Sequence, residues 1–119
     1  MDVLIVDDSS IIRRTIEMVV HSLGMRVVGQ AGDGLTALAL LDSFQPQLIT
    51  LDITMPRMDG LECLREIMEA NPAHRVLVIS ALRDPSTGLQ ALKTGAKGFL
   101  PKPFTKESLA TELKRIAYE

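Results

Sequence analysis

Several chemically able side chains stand where apolar runs stop. Val3-Leu4-Ile5-Val6 ends at Asp7-Asp8, and Leu48-Ile49-Thr50-Leu51 ends at Asp52. Arg75 to Ile79 ends at Ser80, and Lys97 to Leu100 is followed by Pro101 and Lys102. A carboxylate is costly to bury alone, so three brought together need a counter-charge. A hard divalent cation supplies one: Mg²⁺ takes oxygen ligands, keeps several waters, and typically binds one or two carboxylates beside a phosphate. Asp8 and Asp52 are the expected direct ligands, with Asp7 acting through water. A backbone carbonyl just after Asp52, that of Thr54, completes the set. The His and Cys ligands that zinc favours are missing from it. Lys102 brings a positive charge from the far side and Ser80 a hydroxyl donor. Together these groups describe a pocket for a phosphoryl group on Asp52. Asp52 would attack phosphorus in line as a carboxylate nucleophile. Mg²⁺ and Lys102 would offset charge on the phosphoryl oxygens.

The elements that must position these groups follow from periodicity. Residues 3–6 are a continuous apolar run and residues 48–51 a mostly apolar one, as in buried strands. Arg26 to Ala31 is a second, more polar strand, Arg75 to Ile79 a fourth and Lys97 to Leu100 a short fifth. Helical spacing links Ile11, Ile12, Ile16, Val19, Val20 and Leu23, with Ser9 or Asp8 as cap and Gly24 as stop. Asp33 caps a second helix. Asp59 and Glu62 have capping-box spacing for a third. Asp84-Pro85 opens a fourth, in which Gly88 costs roughly 1 kcal/mol relative to alanine. Thr105 caps a fifth, through Leu109, Leu113 and Ile116. Five strand–helix alternations imply parallel strands with right-handed crossovers and helices on both faces. The two most apolar strands, first and third, belong in the centre. The expected fold is therefore a flavodoxin-like, doubly wound α/β sheet in the order 2-1-3-4-5, which gathers ligands outside the carboxyl ends of its strands.

The composition narrows the function. The 119 residues suit one domain with a real core, at 46% hydrophobic and 24% charged. Only three Phe and one Tyr accompany the aliphatics, so Leu, Ile, Val, Ala and Met must fill that core. A net charge of −2 without a basic tract argues against a direct grip on nucleic acid. A single cysteine, Cys63, excludes an internal disulfide and suits a reducing compartment. No signal peptide and no membrane-spanning segment is visible, so a cytoplasmic setting is expected.

Four separated motifs carry a resemblance. Val6-Asp7-Asp8-Ser9, Leu51-Asp52-Ile53-Thr54-Met55-Pro56-Arg57-Met58-Asp59-Gly60, Ile79-Ser80-Ala81 and Gly95 to Phe104 look like those of two-component response regulator receiver domains. The match spans residues 1–119 and is most similar to the stand-alone, CheY-like type. The resemblance implies that Asp52 accepts phosphate from a sensor histidine kinase. It implies that Asp7 and Asp8 hold Mg²⁺, that Ser80 is the switch hydroxyl, and that Lys102 contacts the phosphoryl group. It further implies a cis Lys102–Pro103 bond and a switch role for Phe99. Phosphorylation would then remodel the face made by the fourth helix, fifth strand and last helix, where a downstream target binds. A phosphorylation-dependent dimer is also compatible with the family, and no membrane partner is expected. Such a protein is a signalling phosphoacceptor rather than an enzyme with a released product, and chemotaxis is one setting for it. The alternative is the receiver of a longer regulator with a DNA-binding or enzymatic output.

This chain departs from the family pattern at three places. Phe99 has no hydroxyl where some members carry Tyr, Pro101 stiffens the loop bearing Lys102, and Leu82 is apolar where several members are polar. Leu82 and Thr54 flank the route of an attacking water in this family, so they are expected to set the dephosphorylation rate.

Other readings explain less. A flavin binder of this fold wants a Ser/Thr/Gly-rich phosphate loop after the first strand, but Asp7-Asp8 would repel a phosphate there. A phosphatase of the haloacid dehalogenase kind places its two aspartates two residues apart, whereas these are adjacent. Asp59 reads as a helix cap, Cys63 as a small packing residue, and the scattered methionines as gap-fillers. His21 and His74 lie at a helix end and in a loop.

Overall fold

The computed structural model describes residues 1–54, 59–82 and 84–118. Met55, Pro56, Arg57 and Met58 of the second motif lie outside them, as do Arg83 and Glu119. The elements in chain order are β1 (Asp2–Val6), α1 (Ser10–Ser22), β2 (Arg26–Ala31), α2 (Gly34–Phe44) and β3 (Leu48–Asp52). They continue with α3 (Gly60–Ala70), β4 (Arg75–Ser80), α4 (Pro85–Thr94), β5 (Gly98–Pro101) and α5 (Lys106–Tyr118). The strands form one sheet in the order β2-β1-β3-β4-β5, with every pairing parallel. This is the doubly wound, flavodoxin-like architecture that the alternation predicts.

Strand periodicity divides the core into two layers. Leu4, Val6, Ile49, Leu51, Val76 and Val78 face Ala37, Leu41, Cys63, Leu64 and Ile67, the layer of α2 and α3, with Ala91 of α4. Val3, Ile5, Leu48, Leu77 and Ile79 face Ile16, Val19, Val20, Leu109, Leu113 and Ile116 of α1 and α5. Thr50 shares the second face. It is fully buried in β3, and its hydroxyl has no hydrogen-bond partner among the described residues. β5 runs one residue later than the sequence suggests. Pro101 can close it because an edge strand tolerates a missing N–H, and the Lys102 N–H then donates to the Ser80 carbonyl at 2.8 Å.

The expected caps are present. Ser9 accepts from the Ile12 N–H, Asp33 from Thr36 and Asp84 from Ser86. Thr105 and Ser108 exchange reciprocal side-chain-to-N–H bonds of 2.9 and 3.1 Å at the start of α5. Asp59 caps α3 through Leu61, and Glu62 makes no reciprocal bond among the described residues. The third helix begins at a forced close approach. A Cβ on Gly60 would overlap the backbone of Ile53, so only glycine lets α3 start directly against the segment that follows Asp52.

Candidate functional site

Strand register decides which groups meet. Asp7 continues the Val3, Ile5 series past the end of β1, and Asp52 continues Leu48, Thr50. Lys102 continues Leu100 past β5. All three therefore start from the α1–α5 side of the sheet, at its carboxyl edge. Ser80 continues Val76, Val78, and Phe99 lies beside Val78 in register, so this pair belongs to the opposite layer.

Asp7 is buried, and each of its side-chain oxygens is engaged. Oδ1 accepts from the Ser9 N–H at 2.9 Å, and Oδ2 accepts from Lys102 Nζ at 2.8 Å. Its N–H donates to the Ala31 carbonyl at 3.0 Å, and its own carbonyl accepts from Arg13 Nη1 at 2.6 Å. Asp52 is 2% exposed. Its Oδ1 accepts from both the N–H and the hydroxyl of Thr54, at 2.9 and 2.6 Å. Its Oδ2 faces Lys102 Nζ at 3.3 Å. Asp8 is exposed and makes no hydrogen bond or ion pair among the described residues.

One ammonium thus serves two buried carboxylates. Burial raises the Asp7 pKa above the usual aspartate value. The hydrogen bonds from Lys102 and Ser9 oppose that shift, and the Asp52 charge adds to it. Burial alone would lower the Lys102 pKa. The hydrogen bond to Asp7, with the charges of Asp7 and Asp52, outweighs it, so Lys102 binds its proton more tightly than an ordinary lysine.

The donor set suits a hard cation. One carboxylate oxygen from each of Asp7, Asp8 and Asp52 lies within 4.8 Å of the others. Asp7, Asp8 and Asp52 would hold such an ion, with the exposed Asp8 free to turn toward it. All three ligands are oxygen, as Mg²⁺ requires.

Ser80 is fully buried and its Oγ accepts from the Leu82 N–H at 3.0 Å. Phe99 is partly buried, with its ring beneath Gly88 of α4. It borders a groove of about 320 Å³ with Leu82, Pro85, Leu92 and Pro101. Leu89 and Leu92 are 55% and 47% exposed on that side. A larger groove of about 550 Å³ opens beside Lys102, lined by Ile12, Thr15, Ala81, Pro103 and Phe104. The Lys102–Pro103 peptide is cis, as the resemblance implies.

The sequence points to Thr54 for its carbonyl and for a place beside the route of an attacking water, yet its N–H and hydroxyl are what hold Asp52. It also passed over Arg13, whose place in the α1 pattern carries no sign that it reaches back six residues along the chain to Asp7. The remaining titratable candidates are structural. Burial, with Glu66 and Glu62 nearby, pushes the Cys63 thiol up to about 12, so it is no nucleophile. His74 is buried with Nδ1 2.8 Å from the Pro46 carbonyl, which ties two loops together at the far end of the sheet.

Comparison with known proteins agrees with this geometry. The response regulator receiver domain family matches residues 3–114. The chemotaxis protein CheY of Listeria monocytogenes is 39% identical over 117 residues, 98% of each chain. A protein-glutamate methylesterase/protein-glutamine glutaminase of Hahella chejuensis is 47% identical over 87% of this chain, which spans 30% of that protein. Among solved structures, the CheX–CheY–BeF₃–Mg²⁺ complex from Borrelia burgdorferi superposes with a TM-score of 0.95 at 34% identity, covering 100% of this chain and 90% of that one. No helix among the described residues is long and apolar enough to cross a membrane. A parallel 2-1-3-4-5 sheet, acidic residues converging at its carboxyl edge, and relatives matched along nearly their whole length lead to one conclusion: the chain belongs to the response regulator receiver family and is CheY-like.

Proposed function

We propose that Asp52 accepts a phosphoryl group from the phosphohistidine of a sensor histidine kinase and that the protein signals in the cytoplasm through the resulting change of surface. The observation that carries this reading is the asymmetric hold on Asp52. Thr54 fixes Oδ1 with two donors, leaving Oδ2 beside Lys102 and the two other carboxylates. Oδ2 attacks phosphorus in line. The phosphorus–nitrogen bond of the donor breaks, and its electron pair stays on the departing imidazole. Lys102 shifts from Asp7 toward the new phosphoryl oxygens. Mg²⁺, held by Asp7, Asp8 and Asp52 with the Thr54 carbonyl, supplies neutralising charge when bound. The groove lined by Ile12, Thr15 and Phe104 gives the kinase an apolar seat next to Lys102.

Ser80 then exchanges its bond with the Leu82 N–H for one to the phosphoryl group. Phe99, whose ring already packs beneath Gly88 of α4, turns further inward, and the α4–β5–α5 face is remodelled for a downstream target protein. A phosphorylation-dependent dimer belongs to the same proposal; direct contact with nucleic acid does not. Thr54 and Leu82, at the mouth, set the phosphoryl lifetime. Chemotaxis is the setting that the CheY relatives favour. A second reading, the receiver of a longer regulator with an enzymatic or DNA-binding output, is favoured by the methylesterase relatives, of which this chain matches about a third.

Intact mass after incubation with acetyl phosphate and Mg²⁺ tests the first step. A gain of one phosphoryl group in the wild type, absent in Asp52→Ala and absent without Mg²⁺, is expected. A gain that persists in Asp52→Ala refutes the assignment.

A further inference from the structure

We infer that Arg13 is a positioning residue for the acidic site: through the Asp7 carbonyl it fixes the turn that aims Asp8. The inference rests on the proposed role of the acidic cluster in holding Mg²⁺. Asp8 is the one member of that cluster with no hydrogen bond or ion pair among the described residues, so among them only the backbone turn directs it. Two bonds shape that turn. The Asp7 carboxylate accepts the Ser9 N–H at 2.9 Å, an Asx-turn across Asp8. The Arg13 guanidinium, reaching back from α1, donates to the Asp7 carbonyl at 2.6 Å. Arg13 also lies where the helix is anchored, since its own N–H closes the first helical bond to the Ser9 carbonyl at 3.0 Å. One residue therefore holds the turn from both ends. Its guanidinium packs beside Gly32, where an added Cβ would sit 3.6 Å from Nη1. The loop between β2 and α2 thus borders the side chain on the other flank.

Arg13 could act by charge or by geometry, and the two have opposite signs. A cation near three carboxylates repels Mg²⁺, so if charge dominated, its removal would tighten metal binding. If the hydrogen bond to the turn dominates, its loss lets Asp8 wander and weakens binding. Partners that orient metal ligands typically change affinity by tenfold or more when removed. The half-buried, charge-assisted bond to the backbone favours geometry.

The test is Mg²⁺ titration of wild type, Arg13→Ala and Arg13→Lys, followed by calorimetry and by the amide NMR shifts of Asp8 and Ser9. Thermal melts confirm that each variant is folded. Arg13→Ala is expected to bind Mg²⁺ about tenfold more weakly. Arg13→Lys, which keeps a donor of similar reach, should recover most of that loss. In metal-free protein, Arg13→Ala should also speed amide exchange at Ser9. Equal or tighter Mg²⁺ binding by folded Arg13→Ala overturns the positioning role and leaves the phosphoacceptor reading intact. A wild type that binds no Mg²⁺ overturns both.

Discussion

Thr50→Val should make this protein more stable, although it alters the strand that carries Asp52. The hydroxyl is fully buried and has no partner among the described residues, between Ile5 and Leu77 in register and facing the layer of α1 and α5. Leaving a buried hydroxyl unpaired costs about 1–3 kcal/mol. Valine has nearly the same shape and puts a methyl group where that oxygen was, adding a further gain below about 1 kcal/mol. Imperfect packing of the new methyl subtracts from this, so a net gain of about 1–2 kcal/mol is expected. Unfolding entropy of about 2.1 cal/mol/K per residue converts that, for a chain of 119 residues, into a rise in melting temperature of about 4–8 °C. Calorimetry and urea unfolding in metal-free buffer provide the measurement, with the urea midpoint shifting at constant slope. Acetyl phosphate labelling of Asp52 should be unchanged, because Thr50 makes no bond to it. A Thr50→Val protein no more stable than wild type would refute the reasoning and show that the hydroxyl is paired in solution.

Two further outcomes follow from neighbouring groups. Gly60→Ala would drive a methyl group into the Ile53 backbone, which cannot rotate aside, so a loss of about 3 kcal/mol is expected with slower labelling of Asp52; chemical melts and mass spectrometry report both. The Lys102 pKa is raised in the folded state, so its stabilising contribution is fully present below the ordinary lysine value of 10.5 and is lost as pH climbs through the folded value. The difference in urea midpoint between wild type and Lys102→Met should therefore shrink at strongly alkaline pH, and a constant difference would contradict the pairing.

Much of this was legible in the sequence because the fold and the site use the same signal. Val3 to Val6 and Leu48 to Leu51 are apolar on both faces, which marks central parallel strands. A carboxylate following such a run must lie at the edge where water begins, so Asp7, Asp8 and Asp52 announced themselves together. What escaped depends on distances that no local pattern encodes. Arg13 looks like any solvent-facing position of an amphipathic helix until α1 is packed and its guanidinium meets the Asp7 carbonyl. Thr54 was read for its carbonyl because metal ligation was in view, whereas its side chain folds back onto Asp52. Gly60 read as part of a turn before a helix, while its real constraint is the backbone of Ile53, seven positions earlier. Thr50 passed as one more β-branched strand residue, which is what its shape is and what its hydroxyl is not.

The division of the site between two faces of the sheet has its own consequence. Asp7, Asp52 and Lys102 issue from the α1–α5 side, and Ser80 and Phe99 from the side of α3 and α4. On the proposed reading, a phosphoryl group placed on one side of the five-stranded wall is sensed by Ser80 and Phe99 on the other. A kinase seated beside Ile12 and Phe104 would cover the approach to α5 and leave Leu89 and Leu92 of α4 uncovered. The proposed target face would then straddle the sheet, with its α4 half open to a listener while a kinase occupies the other side.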